Sequence, residues 1–251
     1  MIGQKVKVTI DRPLGSYHPN HKDIYYSVNY GYIEGIMAKD NEYQDAYVLG
    51  VNKPLKEFEG IVIAVIHRLN DIEDKLVVCP IGVNFTKEEI MKQVEFQEKY
   101  FETKISMASY EKSCGAVVFT KIENNIKYLI IQNKEGIYGF PKGHVEYNES
   151  EEETALREVY EEVGIKVNFI DGFKTIDEHF IPNKKDTIKR IVYFIGKYIN
   201  QEIKHQKEEV LSACLMDYDT AISLFQYESS KNILNSVHNY ITSLIKENDN
   251  V

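Results

Sequence analysis

The sequence predicts an α+β protein of two domains: a small β-barrel-like domain closed by one helix over residues 1–105, then an α/β/α sandwich over residues 106–251. Three observations predict it. The chain has 251 residues, more than the roughly 100–150 of a usual single core. Its first third is a series of short β-rich runs between turn-like clusters. The remainder mixes long apolar strands with amphipathic helices. Hydrophobic residues make up 43% and charged residues 27%, the composition of a chain that buries a core.

Composition also narrows function. The longest aliphatic run, Ile61 to Ile66, is too short to cross a bilayer, and the N-terminal MIGQKVKVTI lacks an apolar signal region. Neither secretion nor membrane attachment is expected. Cys79, Cys114 and Cys214 are widely spaced, with no CxxC or Cys/His ligand pattern, which fits a reduced, cytoplasmic setting. A net charge of −9 speaks against the basic face that nucleic acid requires. An anionic small-molecule substrate would therefore have to be bridged to this protein by metal ions.

In the first domain the strands are KVKVTI, YYSVNYGYI, AYVLGV, IVIAVIHR and KLVVCPIGV. Thr86 and Glu89 form a capping box, and Ile90, Val94 and Phe101 follow at helical spacing. From Glu102 to Ser113 apolar periodicity lapses, which marks the boundary. The second domain opens with CGAVVFT and KYLIIQ, followed by a loop from Asn133 to Val145, a helix, and the strands KVNFIDGF and TIKRIVYFIGKYI. After LSACLM two helices are expected, over Asp219 to Phe225 and Ser230 to Lys246. Ile233, Leu234, Val237, Tyr240, Ile241 and Leu244 form the inner face of the second.

The stretch PKGHVEYNESEEETALREVYEEVGI, Pro141 to Ile165, crowds glutamates together. Ser150 and Glu153 make a second capping box and Gly164 is a left-handed stop, so a helix is expected from Glu151 to Val163. At about 100° per residue, Ala155, Leu156, Val159 and Val163 share an apolar arc, with Glu158, Glu161 and Glu162 beside it. Arg157 lies four residues before Glu161, where it can pair with one carboxylate. The remaining repulsion calls for a cation, and hard divalent ions such as Mg²⁺ take carboxylate oxygens.

Read as a pattern, Gly143, Glu149, Arg157-Glu158, Val159, Glu161-Glu162 and Gly164-Ile165 match every fixed position of the Nudix hydrolase signature, which this segment resembles. The resemblance implies a Mg²⁺- or Mn²⁺-dependent hydrolase that cleaves a diphosphate linkage in a nucleotide. It further implies that Glu158, Glu161 and Glu162 ligate metal, Glu149 supports them and Arg157 orients them. GFPKGHVE, KRIVYF and the terminal DYDTAISLFQYESSKNILNSVHNYI look like the asymmetric diadenosine tetraphosphate hydrolases within that family. On that likeness Lys142, Gly143, His144 and Lys189 contact the polyphosphate, and Glu209, or Glu208 in its place, adds a metal-binding carboxylate. Leu215 departs from the tryptophan many relatives carry.

The first domain resembles, more faintly, soluble inorganic pyrophosphatase, through VTIDRPLGS, YYSVNYGYIEG, DNEYQDAYVLG and DKLVVCP. The likeness implies a second site of Tyr30, Asp40, Glu42, Asp45 and Lys75. Segments that would carry phosphate-binding cations are shortened, so a degenerate module is expected, with Asp40, Glu42 and Asp45 readable equally as a polar turn. Two rival readings stay open: an active pyrophosphatase in the first domain, and a nucleotide sensor without turnover. Oligomeric state is left open, a homodimer included.

Overall fold

The structure is a computed structural model, and it describes residues 1–123, 125–198, 201–206 and 208–249, the last three through their backbone only. The chain forms two compact units. One comprises Met1–Glu111 with Glu178–Lys189, the other Lys112–Asp177 with Arg190–Val251.

The first unit contains β1 (Lys5–Arg12), β2 (Asn29–Met37), β3 (Tyr43–Val48), β4 (Glu57–Arg68), β5 (Asp74–Cys79), α1 (Lys87–Glu98) and β6 (Thr103–Met107). Strands run in the order β1-β2-β3-β5-β4, and β1 pairs with β4 to close a five-stranded barrel. β4 serves three neighbours. Its first half pairs with β1 and its second with β6, and a register shift between Val62 and Ala64 lies between them. Such a shift bends a strand and lets it leave one partner for another.

The two-residue period of these strands divides the core. Val6, Val8, Ala46, Val48, Val62, Leu76 and Val78 pack together as one cluster. Their alternates Tyr47, Leu49, Ile61, Ile63, Val77 and Cys79 form another with Ile90 and Val94 of α1. The expected capping box is present, with Thr86 Oγ1 accepting from Glu89 N–H and Glu89 accepting from Thr86 N–H. At the other end of α1, Glu98 is buried with Arg68: Nη2 lies 2.5 Å and Nε 3.1 Å from its oxygens. Tyr47 donates to it at 2.6 Å, and Phe101 lies under the guanidinium at 3.7 Å. Glu98→Ala would take both of its close bonds from the buried Arg68, leaving Asp71, 3.3 Å from Nη1, as the remaining carboxylate. It is expected to cost about 3–5 kcal/mol, read as a lowered denaturation midpoint of this unit.

Two corrections concern the boundary. The Glu102 to Ser113 segment is not a bare linker: it holds β6 and the start of β7 (Ser109–Ile122), because backbone pairing with β4 compensates for weak apolar alternation. The strand KVNFIDGF extends further than its letters suggest: β11 (Asn168–Phe180) runs on into a hairpin turn over residues 181–186. The tip of that hairpin belongs to the first unit. There Glu178 accepts from Gly82 N–H at 3.1 Å, Asp186 O from Ser109 N–H at 2.8 Å, and Ile188 is fully buried in the α1-side cluster.

The second unit continues with β8 (Asn125–Asn133), β9 (Tyr138–Gly139), β10 (Lys142–His144), α2 (Glu151–Val163), β12 (Thr187–Lys197), β13 (Val210–Met216), α3 (Tyr218–Leu224) and α4 (Glu228–Asp249). The sheet order is β11-β12-β7-β8-β13, with β10 on β7 and β9 on β8. Alternation along β7 separates two layers. Ala116 and Val118 pack with Val159 and Val163 of α2, while Val117 and Phe119 pack with Ala221 of α3 and Ile233, Leu234, Val237 and Ile241 of α4. This is the α/β/α sandwich the sequence predicts. α2 spans the expected residues, but Leu156 is 40% exposed while Thr154 is buried in its stead. Among the described residues no helix is long and apolar enough to cross a membrane.

Candidate active site

Three local devices position the carboxylates. β10 pairs antiparallel with β7 through Lys142↔Gly115, Gly143↔Cys114 and His144↔Ser113. Ser150 and Glu153 close the expected capping box on α2. Gly164 ends that helix at φ 71, with its N–H on Tyr160 O at 2.8 Å, a conformation that costs other residues a Cβ clash. Glu158 and Glu162, one turn apart, are buried at the edge of the helix's apolar face, and Glu161 is half exposed.

Arg157 gathers these groups more fully than its spacing suggests. Its Nε and Nη2 hold Glu149 bidentately at 2.6 and 2.9 Å. Nη1 reaches Glu158 at 2.7 Å and Glu161 at 2.9 Å, and Nη2 also donates to His144 O at 2.9 Å. One guanidinium thus touches three carboxylates and ties the β10 loop to α2. Glu149 further accepts from Thr154 Oγ1 at 2.8 Å and Glu146 N–H at 3.1 Å. The Arg157 bond, aided by these, holds its carboxyl down at about 2.

Glu158 and Glu162 go the other way. Burial raises the Glu158 carboxyl, with Glu161 and Glu209 adding to the rise against Arg157. Burial likewise pushes Glu162 up to about 7, although the Lys142 charge and its backbone N–H, 3.1 Å away, oppose it; Glu158 and Glu209 push it further. Glu209 is therefore electrostatically part of the cluster. Gly143 supplies clearance, since a Cβ there would lie 2.1 Å from the Glu158 carboxyl carbon. His144 is exposed and Lys142 half-buried beside these groups. Lys189 falls within the first unit, so the structure does not bring it into one unit with them. Thr154 was not foreseen as a support for Glu149; its only signal was a polar residue on the apolar arc.

Among the described residues no three His, Cys, Asp or Glu side chains stand as a preformed metal cage. The donor chemistry still fits a hard divalent ion: oxygen ligands only, two of them raised in pKa by burial and mutual repulsion. Mg²⁺ is typically held by a few carboxylates together with water and phosphate rather than by a complete protein cage.

In the first unit, Tyr30 O–H and Lys75 Nζ both meet Asp45 Oδ2 at 2.5 Å. Lys75, 2% exposed, is also bonded to Glu73. Asp40 is hydrogen-bonded to Glu73, which lowers Asp40, and accepts from Glu42 N–H at 3.0 Å. Glu42 itself lines a cleft of about 550 Å³ with Asp11, Tyr32, Tyr43 and Asp45.

Comparison with known proteins concerns the second unit. Residues 112–235 match the NUDIX domain model. The asymmetrical bis(5'-nucleosyl)-tetraphosphatase of Sus scrofa is 31% identical over 146 residues, 53% of this chain and 97% of the relative. The Rattus norvegicus enzyme of the same name is 29% identical over 144 residues, 53% of this chain and 96% of its own. A crystal structure of a C. elegans Ap4A hydrolase binary complex superposes with a TM-score of 0.50 at 22% identity, covering 53% of this chain and 98% of that one, a likeness of fold. Nudix hydrolases generally use divalent cations, with which the oxygen-only donor set is compatible. With the signature residues gathered on one helix and its preceding loop, and a relative matched over nearly its whole length, the chain belongs to the Nudix family and its second unit is a Nudix pyrophosphohydrolase.

Proposed function

We propose that the second unit hydrolyses a diphosphate linkage in a dinucleoside polyphosphate such as diadenosine tetraphosphate, with Mg²⁺ or Mn²⁺ as cofactor. The observation that carries the reading is Arg157 holding Glu149, Glu158 and Glu161 around the cleared space at Gly143. The names of the relatives matched over 96–97% of their length support the substrate.

When bound, a divalent ion polarises phosphate oxygens and makes a bound water more acidic. Glu158, Glu161, Glu162 and Glu209 would hold it. Arg157 and Glu149 fix the rotamers of that set through the bonds described above. Lys142 and His144, on the strand next to the helix, offer charge and donors to phosphate oxygens. Three widely spaced cysteines without a CxxC or Cys/His ligand pattern support a reducing, cytoplasmic setting. The first unit is a pyrophosphatase-like barrel without turnover of its own: Lys75 is buried and already bonded to Asp45 and Glu73, so it is not free to hold pyrophosphate.

The test is a product assay by chromatography with Mg²⁺ or Mn²⁺ and a panel of diadenosine polyphosphates, nucleotide sugars, nucleoside triphosphates and pyrophosphate. ATP plus AMP from diadenosine tetraphosphate is the expected result. Cleavage of pyrophosphate alone would move the chemistry to the first unit and sink the assignment.

A further inference from the structure

Tyr147 is 94% exposed, more than any other large apolar residue among those described. It sits in the turn between β10 and α2, and that turn is well tied. Glu146 N–H donates to Glu149 Oε2 at 3.1 Å and Glu149 N–H to Glu146 O at 3.2 Å. Arg157 clamps the turn at its two ends, through His144 O and the Glu149 carboxylate. Asn148, next to Tyr147, takes the left-handed conformation at φ 67, which asparagine tolerates better than most residues. The ring is therefore held out by a fixed backbone rather than released by a loose one.

Its place is as informative as its exposure. One residue, Asn148, separates Tyr147 from Glu149, at most about 7 Å between their Cα atoms, and Arg157 links Glu149 directly to Glu158 and Glu161. The surroundings, Glu146, Glu149, Glu151 and Glu152, repel phosphate but not an uncharged base. Tyr160, the other exposed tyrosine of this region, has the Lys166 ammonium 6.0 Å over its ring. Both faces of Tyr147 are open.

We propose that Tyr147 is a stacking platform for a nucleobase of the nucleotide whose phosphates lie on the carboxylate cluster. This rests on the function proposed above and assigns a residue to base binding. An aromatic face stacks on any base, so Tyr147 sets a requirement for a base without choosing which.

Two variants test it. Tyr147→Ala is expected to raise KM for diadenosine tetraphosphate about tenfold, equivalent to about 1.4 kcal/mol, with the loss falling on KM rather than kcat. The chain contains no tryptophan, so Tyr147→Trp introduces a single reporter. Its emission, read by stopped flow before turnover, is expected to be quenched by diadenosine tetraphosphate and not by inorganic tetraphosphate. An unchanged KM together with unquenched emission, in protein that still cleaves the dinucleotide, overturns the proposal. Should the unaltered protein cleave no nucleotide, the proposed function fails separately. The fluorescence titration then decides this inference alone: quenching by the dinucleotide upholds it and none refutes it.

Discussion

Gly143→Ala is expected to leave the protein folded and to lower turnover by about a hundredfold, the usual consequence of misplacing a reacting group by an ångström. The added Cβ would stand 2.1 Å from the Glu158 carboxyl carbon and 2.2 Å from both of its oxygens. A carboxylate ends a flexible side chain, so it can swing aside at little cost to stability. In doing so it leaves the Arg157 Nη1 bond, 2.7 Å in the native protein. Gly31→Ala makes the contrast. There the same methyl meets the Thr9 carbonyl oxygen at 1.9 Å and Ile10 Cα at 2.8 Å, backbone atoms in the neighbouring barrel strand, and the expected loss is of folding. Thermal melts and turnover measured side by side separate the two. Wild-type turnover in Gly143→Ala would remove Glu158 from the site.

Glu162→Gln is expected to move stability and activity in opposite directions. Turnover should fall by two or more orders of magnitude, about the effect of losing one preorganised charge at a reacting centre, because Glu162 is one of the buried carboxylates proposed to hold the ion. The melting temperature in chelator should rise, because a buried carboxylate beside Glu158 and Glu209 gives way to a neutral amide. The pH dependence follows from the same cause. The Glu162 carboxyl lies at about 7 when folded, against 4.5 ordinarily. Between those values the folded protein keeps a proton that the unfolded chain has released. Its contribution therefore stabilises at low pH and is lost as pH rises through that window. Melts in EDTA across pH 4 to 8 should show a steeper decline for the native protein than for Glu162→Gln. Matching slopes would mean that Glu162 is not the buried, raised carboxyl described above.

Much of the site was legible because it is local. Ser150, Glu153 and Gly164 bound a helix by chemistry within one turn of each end, and its helical period puts Glu158 and Glu162 on one side. Long-range features left fainter signals. Arg157 could be paired with Glu161 from spacing, but its bonds to Glu149 and His144 O depend on how β10 returns beside α2. Leu156 reads as core by its letter and is exposed, since α2 presents a narrower stripe to the sheet than its apolar arc. In the first unit the strands were readable from their runs, whereas closure of the barrel rests on β1 meeting β4, a pairing of segments some fifty residues apart. β6 escaped notice because an edge strand is held by its backbone, to which side-chain pattern is blind.

The hairpin tip Glu178–Lys189 changes what it means to call the units successive. The barrel-bearing unit is completed by a piece of chain translated only after the whole glutamate-rich helix has emerged, so it cannot finish assembling on the ribosome in the N-to-C order usual for tandem domains. Until Ile188 arrives, the cluster lined by Ile61, Ile63 and Ile90 lacks one of its members. A gene cut at residue 111 would thus yield two incomplete products. One would lack part of its core, and the other would carry a largely polar hairpin tip whose Ile188 has lost the cluster it belongs to.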